Sequence, residues 1–135
     1  MLNGAPICWR SKLQTLTALS TTESEYVGLT ETAKEAIYLR RLLQELHIDC
    51  SKPTLIHEDN QAAIAITNNA NYIGRIKHLD TKYHFIRQAV QQGQVQVTYC
   101  PTDRMLADLL TKPLARQQHH FLTLELLSAG ALPGS

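Results

Sequence analysis

The apolar residues of this 135-residue chain change period along its length, and that change constrains the fold more than any single motif does. Tyr26, Leu29, Ala33, Ala36, Ile37, Leu43 and Leu46 recur at near-helical spacing. Ser20 with Glu23, and Thr22 with Glu25, both have capping-box spacing, so a helix starts near here and runs to about His47. Ser51-Lys52-Pro53 breaks the chain, and Thr54-Leu55-Ile56-His57-Glu58-Asp59 reads as a strand. Gln61 to Ile66 reads as a short helix that stops in the polar Asn68-Asn69-Ala70-Asn71 stretch. Ile76, Leu79, Tyr83, Ile86 and Val90 then mark one face of a helix ending at Gly93. Gln94 to Cys100 alternates strictly, the mark of a half-buried strand, and Pro101 ends it. Asp103 is placed to cap a helix carrying Asp108, and Pro113 separates that helix from a last one over 115–127. At the other end, Asn3-Gly4 is a hairpin-turn signal and Pro6-Ile7-Cys8-Trp9-Arg10 reads as a strand, with Trp9 expected in the core. Strands and helices interleave, so the class is α/β.

Composition limits what such a fold can be for. Apolar residues at 44% and charged residues at 19% suit a globular domain and exclude a disordered one. A formal charge of +1 means that any nucleic-acid surface must be a local patch. Cys8, Cys50 and Cys100 are odd in number and widely spaced, which fits reduced intracellular thiols better than a disulfide framework. No apolar run is long enough to span a membrane, and the first residues lack a signal peptide's pattern. The expectation is an intracellular chain with no membrane partner and no small-molecule cofactor.

Three carboxylates stand in three different local settings. Glu25 lies near a helix start, Asp59 at a strand end, and Asp108 in the apolar segment Met105-Leu106-Ala107-Asp108-Leu109-Leu110. Each has an ordinary explanation: the helix dipole favours first-turn acids such as Glu23 and Glu25, and Asp59 can cap the helix after it. Asp108 sits at the edge of a buried surface, and a buried carboxylate wants a cation or a donor. Convergence of the three would make an all-oxygen, highly charged site of the kind magnesium or manganese prefers. The His119-His120 pair has no metal partner at convincing spacing and reads as surface.

Six stretches carry a resemblance. They are Ser11-Lys12-Leu13-Gln14, Ala18-Leu19-Ser20-Thr21-Thr22-Glu23-Ser24-Glu25-Tyr26, Ala33-Lys34-Glu35-Ala36-Ile37-Tyr38-Leu39-Arg40, Glu58-Asp59-Asn60-Gln61-Ala62-Ala63-Ile64, Lys77-His78-Leu79-Asp80-Thr81-Lys82-Tyr83-His84-Phe85-Ile86-Arg87 and Leu106-Ala107-Asp108-Leu109-Leu110-Thr111-Lys112-Pro113-Leu114. In this order they resemble the ribonuclease H domain of copia-type LTR retrotransposons, which follows reverse transcriptase in the Pol polyprotein. The resemblance implies a ribonuclease H-like mixed sheet flanked by helices, with four acids holding two Mg2+ or Mn2+ ions that cleave the RNA strand of an RNA–DNA hybrid. Glu25 matches the helix acid, with Glu23 on a different face, Asp59 the acid of the Asp-Asn-Gln motif, and Asp108 the acid of the Ala-Asp motif. The first acid, on a strand upstream of the Asn3-Gly4 turn, has no match among these residues. The expectation is a partial domain over 3–114 that lacks its first two strands, a C-terminal helix of the same domain over 115–127 and a loose tail over 128–135. Without the first acid, activity of these residues alone is expected to be lost, and a non-enzymatic transposon remnant with weak nucleic-acid affinity is the alternative.

The resemblance also implies substrate contacts. Thr21 and Thr22 match positions that meet the minor groove, where 2′-hydroxyls distinguish RNA from DNA. Asn60 and Gln61 flank the acids and could donate to sugar or phosphate, or serve only to cap a helix. Arg75, Lys77, His78, Lys82, His84 and Arg87 put cationic or titratable groups opposite an apolar stripe, a phosphate-tracking surface or a solvated helix face. Expected partners are the hybrid and the upstream reverse transcriptase segment, in a cytoplasmic virus-like particle or the nucleus.

Overall fold

Ser20 starts the first helix by accepting a hydrogen bond at its Oγ from the Glu23 N–H at 3.2 Å. In the computed structural model, which describes residues 6–11, 20–68 and 80–128, this helix is α1, Thr21–Glu45. Tyr26, Leu29, Thr30 and Ala33 fall at i, i+3, i+4 and i+7, and all four are buried. Thr30 is tolerated there because its hydroxyl donates to the Tyr26 carbonyl at 2.9 Å. The helix stops where His47 takes a left-handed φ of 60°, letting Ile48 N–H donate to the Leu43 carbonyl at 2.9 Å. Leu46, counted on the apolar face by its spacing, lies past the last helical turn and is exposed.

Arg40 then organises the connection to the sheet. Its guanidinium donates to the carbonyls of Cys50 and Lys52 at 2.6 and 2.7 Å and to Thr54 Oγ1 at 3.2 Å. The fork fastens the loop after α1 to the start of β1, Thr54–Glu58. The next elements are α2, Gln61–Asn68, α3, Asp80–Gln91, and β2, Val95–Tyr99. Gly93, with φ of 66°, turns the chain out of α3 as Gln94 N–H donates to the Ala89 carbonyl.

Strands β1 and β2 pair in parallel, from Thr54 opposite Val95 to Glu58 opposite Tyr99. Parallel strands need a long crossover, and the segment holding α2 and α3 supplies it. Ile56 faces inward with Val95 to meet Tyr26, Ala63, Ile66, Tyr83, Ile86 and Ala89 from the three helices. Tyr26 and Tyr83 stack at a centroid distance of 6.3 Å and join α1 to α3. Burying a side chain of this size is worth about 1.5–3 kcal/mol, so the helical side of the sheet holds the main apolar core.

The described residues divide into two compact units, one within Leu16–Cys100 and one within Met1–Thr15 with Pro101–Ser135. The second contains a 3-10 turn over Thr102–Arg104, α4 over Asp108–Thr111 and α5 over Arg116–Ser128. Leu122 of α5 is fully buried.

Three expectations are corrected here. Residues 6–11 form no strand, because a strand requires a hydrogen-bonded neighbour and the sheet among the described residues contains β1 and β2 alone. Trp9, without a sheet to cover it, is 73% exposed rather than in the core. Asp103 lies inside the 3-10 turn and does not cap α4, because Met105 is extended (φ −73°, ψ 101°) and breaks the chain between them. The observed class is α/β, with a two-stranded parallel sheet and helices. The Asn3-Gly4 turn and residues 129–135 of the tail lie outside the described residues. No described helix is long and apolar enough to cross a membrane.

Candidate metal and nucleic-acid site

The C-terminal end of β1 supplies two acids in succession, one in the strand and one in the turn that follows it. Ile56 and Glu58 share the inward face of β1, so Glu58 is buried, at 6% exposure, while Asp59 begins the turn into α2 and is half-buried. The half-buried Glu25, one turn into α1, meets them. One carboxylate oxygen each from Glu25, Glu58 and Asp59 lies within 4.8 Å of the other two.

Of the influences that raise Glu58, burial comes first and neighbouring negative charge second. Burial pushes its carboxyl up from an ordinary 4.5 to about 7, and the neighbouring Glu25 and Asp59 carboxylates add to the rise. The Asn60 N–H, donating to Glu58 Oε1 at 3.0 Å, works in the opposite direction.

This donor set fits a hard divalent cation. All three ligands are carboxylate oxygens, which magnesium and manganese prefer. Three oxygens on one octahedral magnesium include at least two cis pairs about 3.0 Å apart, set by the ~2.1 Å bond. A cation among them would also offset the repulsion between the carboxylates, which adds to the larger effect of burial at Glu58.

Of the acids expected from sequence, Glu25 and Asp59 come together in one unit. Glu23 is buried elsewhere in the first turn of α1, where its N–H completes the Ser20 cap. Asp108 belongs to the second unit. It is 4% exposed, and its Oδ1 pairs with Lys112 Nζ at 3.0 Å, the cation that a buried carboxylate in an apolar segment requires.

Glu58 joins the cluster although the Asp-Asn-Gln motif alone does not mark it. The signal was present in the alternation: with Ile56 on the core face, Glu58 two residues later must share it.

The expected substrate residues fall in several settings. Asn60 caps α2, its Oδ1 accepting from the N–H groups of Ala62 and Ala63 at 3.0 and 3.1 Å. Asn60 Nδ2 also donates to Thr22 Oγ1 at 3.5 Å. Thr21 and Gln61 are exposed, Thr22 is half-buried, and Lys82 is half-buried on α3. Arg75, Lys77 and His78 lie outside the described residues. Arg87 is held over the Tyr83 ring at 5.9 Å and donates to its hydroxyl at 3.4 Å. His119 and His120 are exposed.

Comparison with known proteins adds ancestry to this geometry. The chain is 44% identical over 116 residues to the retrovirus-related Pol polyprotein from transposon TNT 1-94 of Nicotiana tabacum, covering 86% of the chain. It is 42% identical over 111 residues to the retrovirus-related Pol polyprotein from transposon RE2 of Arabidopsis thaliana, covering 82%. The transposon Ty1-DR5 Gag-Pol polyprotein of Saccharomyces cerevisiae matches at 32% over 124 residues, 91% of the chain. The chain belongs to the sequence family of transposon Pol polyproteins. Within it, the plant relatives make it a segment of the copia type. It spans only 9%, 8% and 7% of these three relatives' own lengths. No protein-family model and no solved structure matches it.

Proposed function

We propose that this chain is a ribonuclease H segment of a copia-type Pol polyprotein, acting on the RNA strand of RNA–DNA hybrids by metal-dependent phosphodiester hydrolysis. One observation carries the reading. Glu25 and Asp59, matched through separate motifs 34 positions apart in the sequence, bring their carboxylates within 4.8 Å of each other and of Glu58. The Pol relatives supply a context in which such chemistry belongs.

In this reading Glu25 and Asp59 hold the metal, with Glu58 beside them. A bound Mg2+ or Mn2+ ion supplies Lewis-acid stabilisation of the scissile phosphate and lowers the pKa of water. The protein's part is charge and placement. Thr21 and Thr22 hydroxyls read 2′-hydroxyls, the exposed Gln61 amide donates to sugar or phosphate, and Lys82 with Arg75 and Lys77 neutralises backbone phosphates. The intact domain is then a larger mixed sheet, in which strands beyond β1 and β2 complete the layer and one carries the remaining acid.

The test compares residues 1–135 alone with the same residues joined to a strand bearing that acid. A labelled RNA–DNA hybrid is incubated with Mg2+ or Mn2+, and strand cleavage is followed. The joined protein is expected to cut RNA and spare DNA, and Asp59→Asn to slow it at least ~10²-fold. Residues 1–135 alone are expected to be far slower. A joined protein that cuts nothing, or cuts equally well with Asp59→Asn, would reject the function.

A further inference from the structure

Asn60 uses every polar group it carries, on partners from three different elements. Its N–H donates to Glu58 Oε1 at 3.0 Å, and its Oδ1 receives the Ala62 and Ala63 N–H groups. Its Nδ2 reaches Thr22 Oγ1 at 3.5 Å, across 38 positions of sequence. Thr22 lies three residues before Glu25 on α1, so the two share a helix face. Asn60 itself follows Asp59 directly. A single side chain thus spans from the backbone beside one acid to the helix turn that carries the other.

We infer that Asn60 is a positioning residue that sets the spacing of the Glu25 and Asp59 carboxylates through its contact with Thr22. This rests on the metal-site reading above. Capping α2 requires only the Oδ1 acceptor, and a serine at the same position would supply one. The Nδ2 donor contributes nothing to the cap. Its contact with Thr22 instead holds the start of α1 against the end of β1. Loss of this contact weakens the hold of α1 on the end of β1, and mutual repulsion then favours a wider spacing of the Glu25 and Asp59 carboxylates. Residues that orient metal ligands in this indirect way commonly alter affinity about 10- to 100-fold when removed.

The test separates the cap from the tie. In the 135-residue chain, Asn60→Ser keeps a cap acceptor but is too short to reach Thr22. Thr22→Val removes the acceptor alone, and Thr22→Ser restores it. Mn2+ affinity is measured by the loss of the free-ion paramagnetic resonance signal, and the metal-free Glu25 carboxyl carbon is followed by NMR. Asn60→Ser and Thr22→Val are expected each to weaken Mn2+ binding about tenfold and to shift the Glu25 carboxyl resonance. Thr22→Ser should match the unmodified chain in both. Melting temperatures of Asn60→Ser and Thr22→Val should stay above that of Asn60→Ala, which loses the cap as well. An unmoved Glu25 resonance in both variants overturns the tie, whether or not metal binds. Shifted resonances with unchanged Mn2+ affinity overturn its role in spacing the ligands. If neither the unmodified chain nor the protein joined to the strand bearing the further acid binds Mn2+, the metal-site reading fails, and the Glu25 resonance alone decides whether Asn60 positions the acid.

Discussion

Glu58 is the residue at which charge, burial and position conflict most sharply. Its folded-state carboxyl titrates near 7, against 4.5 ordinarily, because burial opposes ionisation and Glu25 and Asp59 repel the charge. Between those two values the folded chain binds more protons at this site than the unfolded chain does. Stability from this group is therefore fully present below about 4.5 and is lost as pH rises through about 7. Urea midpoints measured from pH 4.5 upward should fall towards pH 8, and Glu58→Gln should flatten that fall by removing the titrating group. A midpoint that climbs steadily from pH 5 to 8, with Glu58→Gln having no effect on the slope, would contradict this account. The same residue marks a limit of sequence reading. Asp59 was legible because a recognisable word surrounds it, whereas Glu58 gains its character from being on the inward face of β1, which depends on what packs there.

Elements were more legible than residues, and for a physical reason. The period of apolar positions in α1, α2, β1 and β2 reports one-sided burial, and one-sided burial is what each element has. Partnership leaves no such trace: the parallel register of β1 on β2 is absent from either strand's own pattern. The strand expected over 6–10 failed for the same reason, since its composition suits a sheet but its existence depends on a neighbour. Helix ends were legible where glycine announced them. Gly93 closes α3 in a left-handed conformation with no atom within 4 Å of where a Cβ would stand. Gly93→Ala should therefore cost about 1 kcal/mol from backbone strain alone, with no steric component. At the end of α1 the same conformation falls to His47, which carries that strain already. His47→Gly should relieve it and gain about 0.5 kcal/mol net of glycine's larger ordering entropy. Opposite shifts in denaturant midpoint for the two variants check this, and shifts of the same sign would refute it.

For the molecule as a whole, the decisive feature is a parallel sheet of two strands among the described residues. Three helices cover one face, but β1 has an edge that pairs with nothing in that sheet. Thr54 N–H and the Glu58 carbonyl bond towards β2 and its flanks, so by alternation Leu55 and His57 turn their backbone groups to the opposite edge. Leu55 is 55% exposed on β1, whose opposite edge has no partner strand among the described residues, and open edges template the addition of another strand. Two strands alone are marginal in water, so the helical core must supply most of the stability of a domain that totals about 5–15 kcal/mol when intact. Residues 1–135 in isolation should therefore self-associate at concentrations on the order of tens of micromolar. Leu55→Lys, which puts a charge on the open edge, should shift the sedimentation profile towards monomer without lowering the unfolding midpoint. Joining a strand that pairs with β1 should do the same and sharpen the thermal transition. A monomeric, cooperatively melting chain 1–135 that is indifferent to Leu55→Lys would mean that β1 needs no further partner, and the larger mixed sheet proposed for the domain would lose its physical motive.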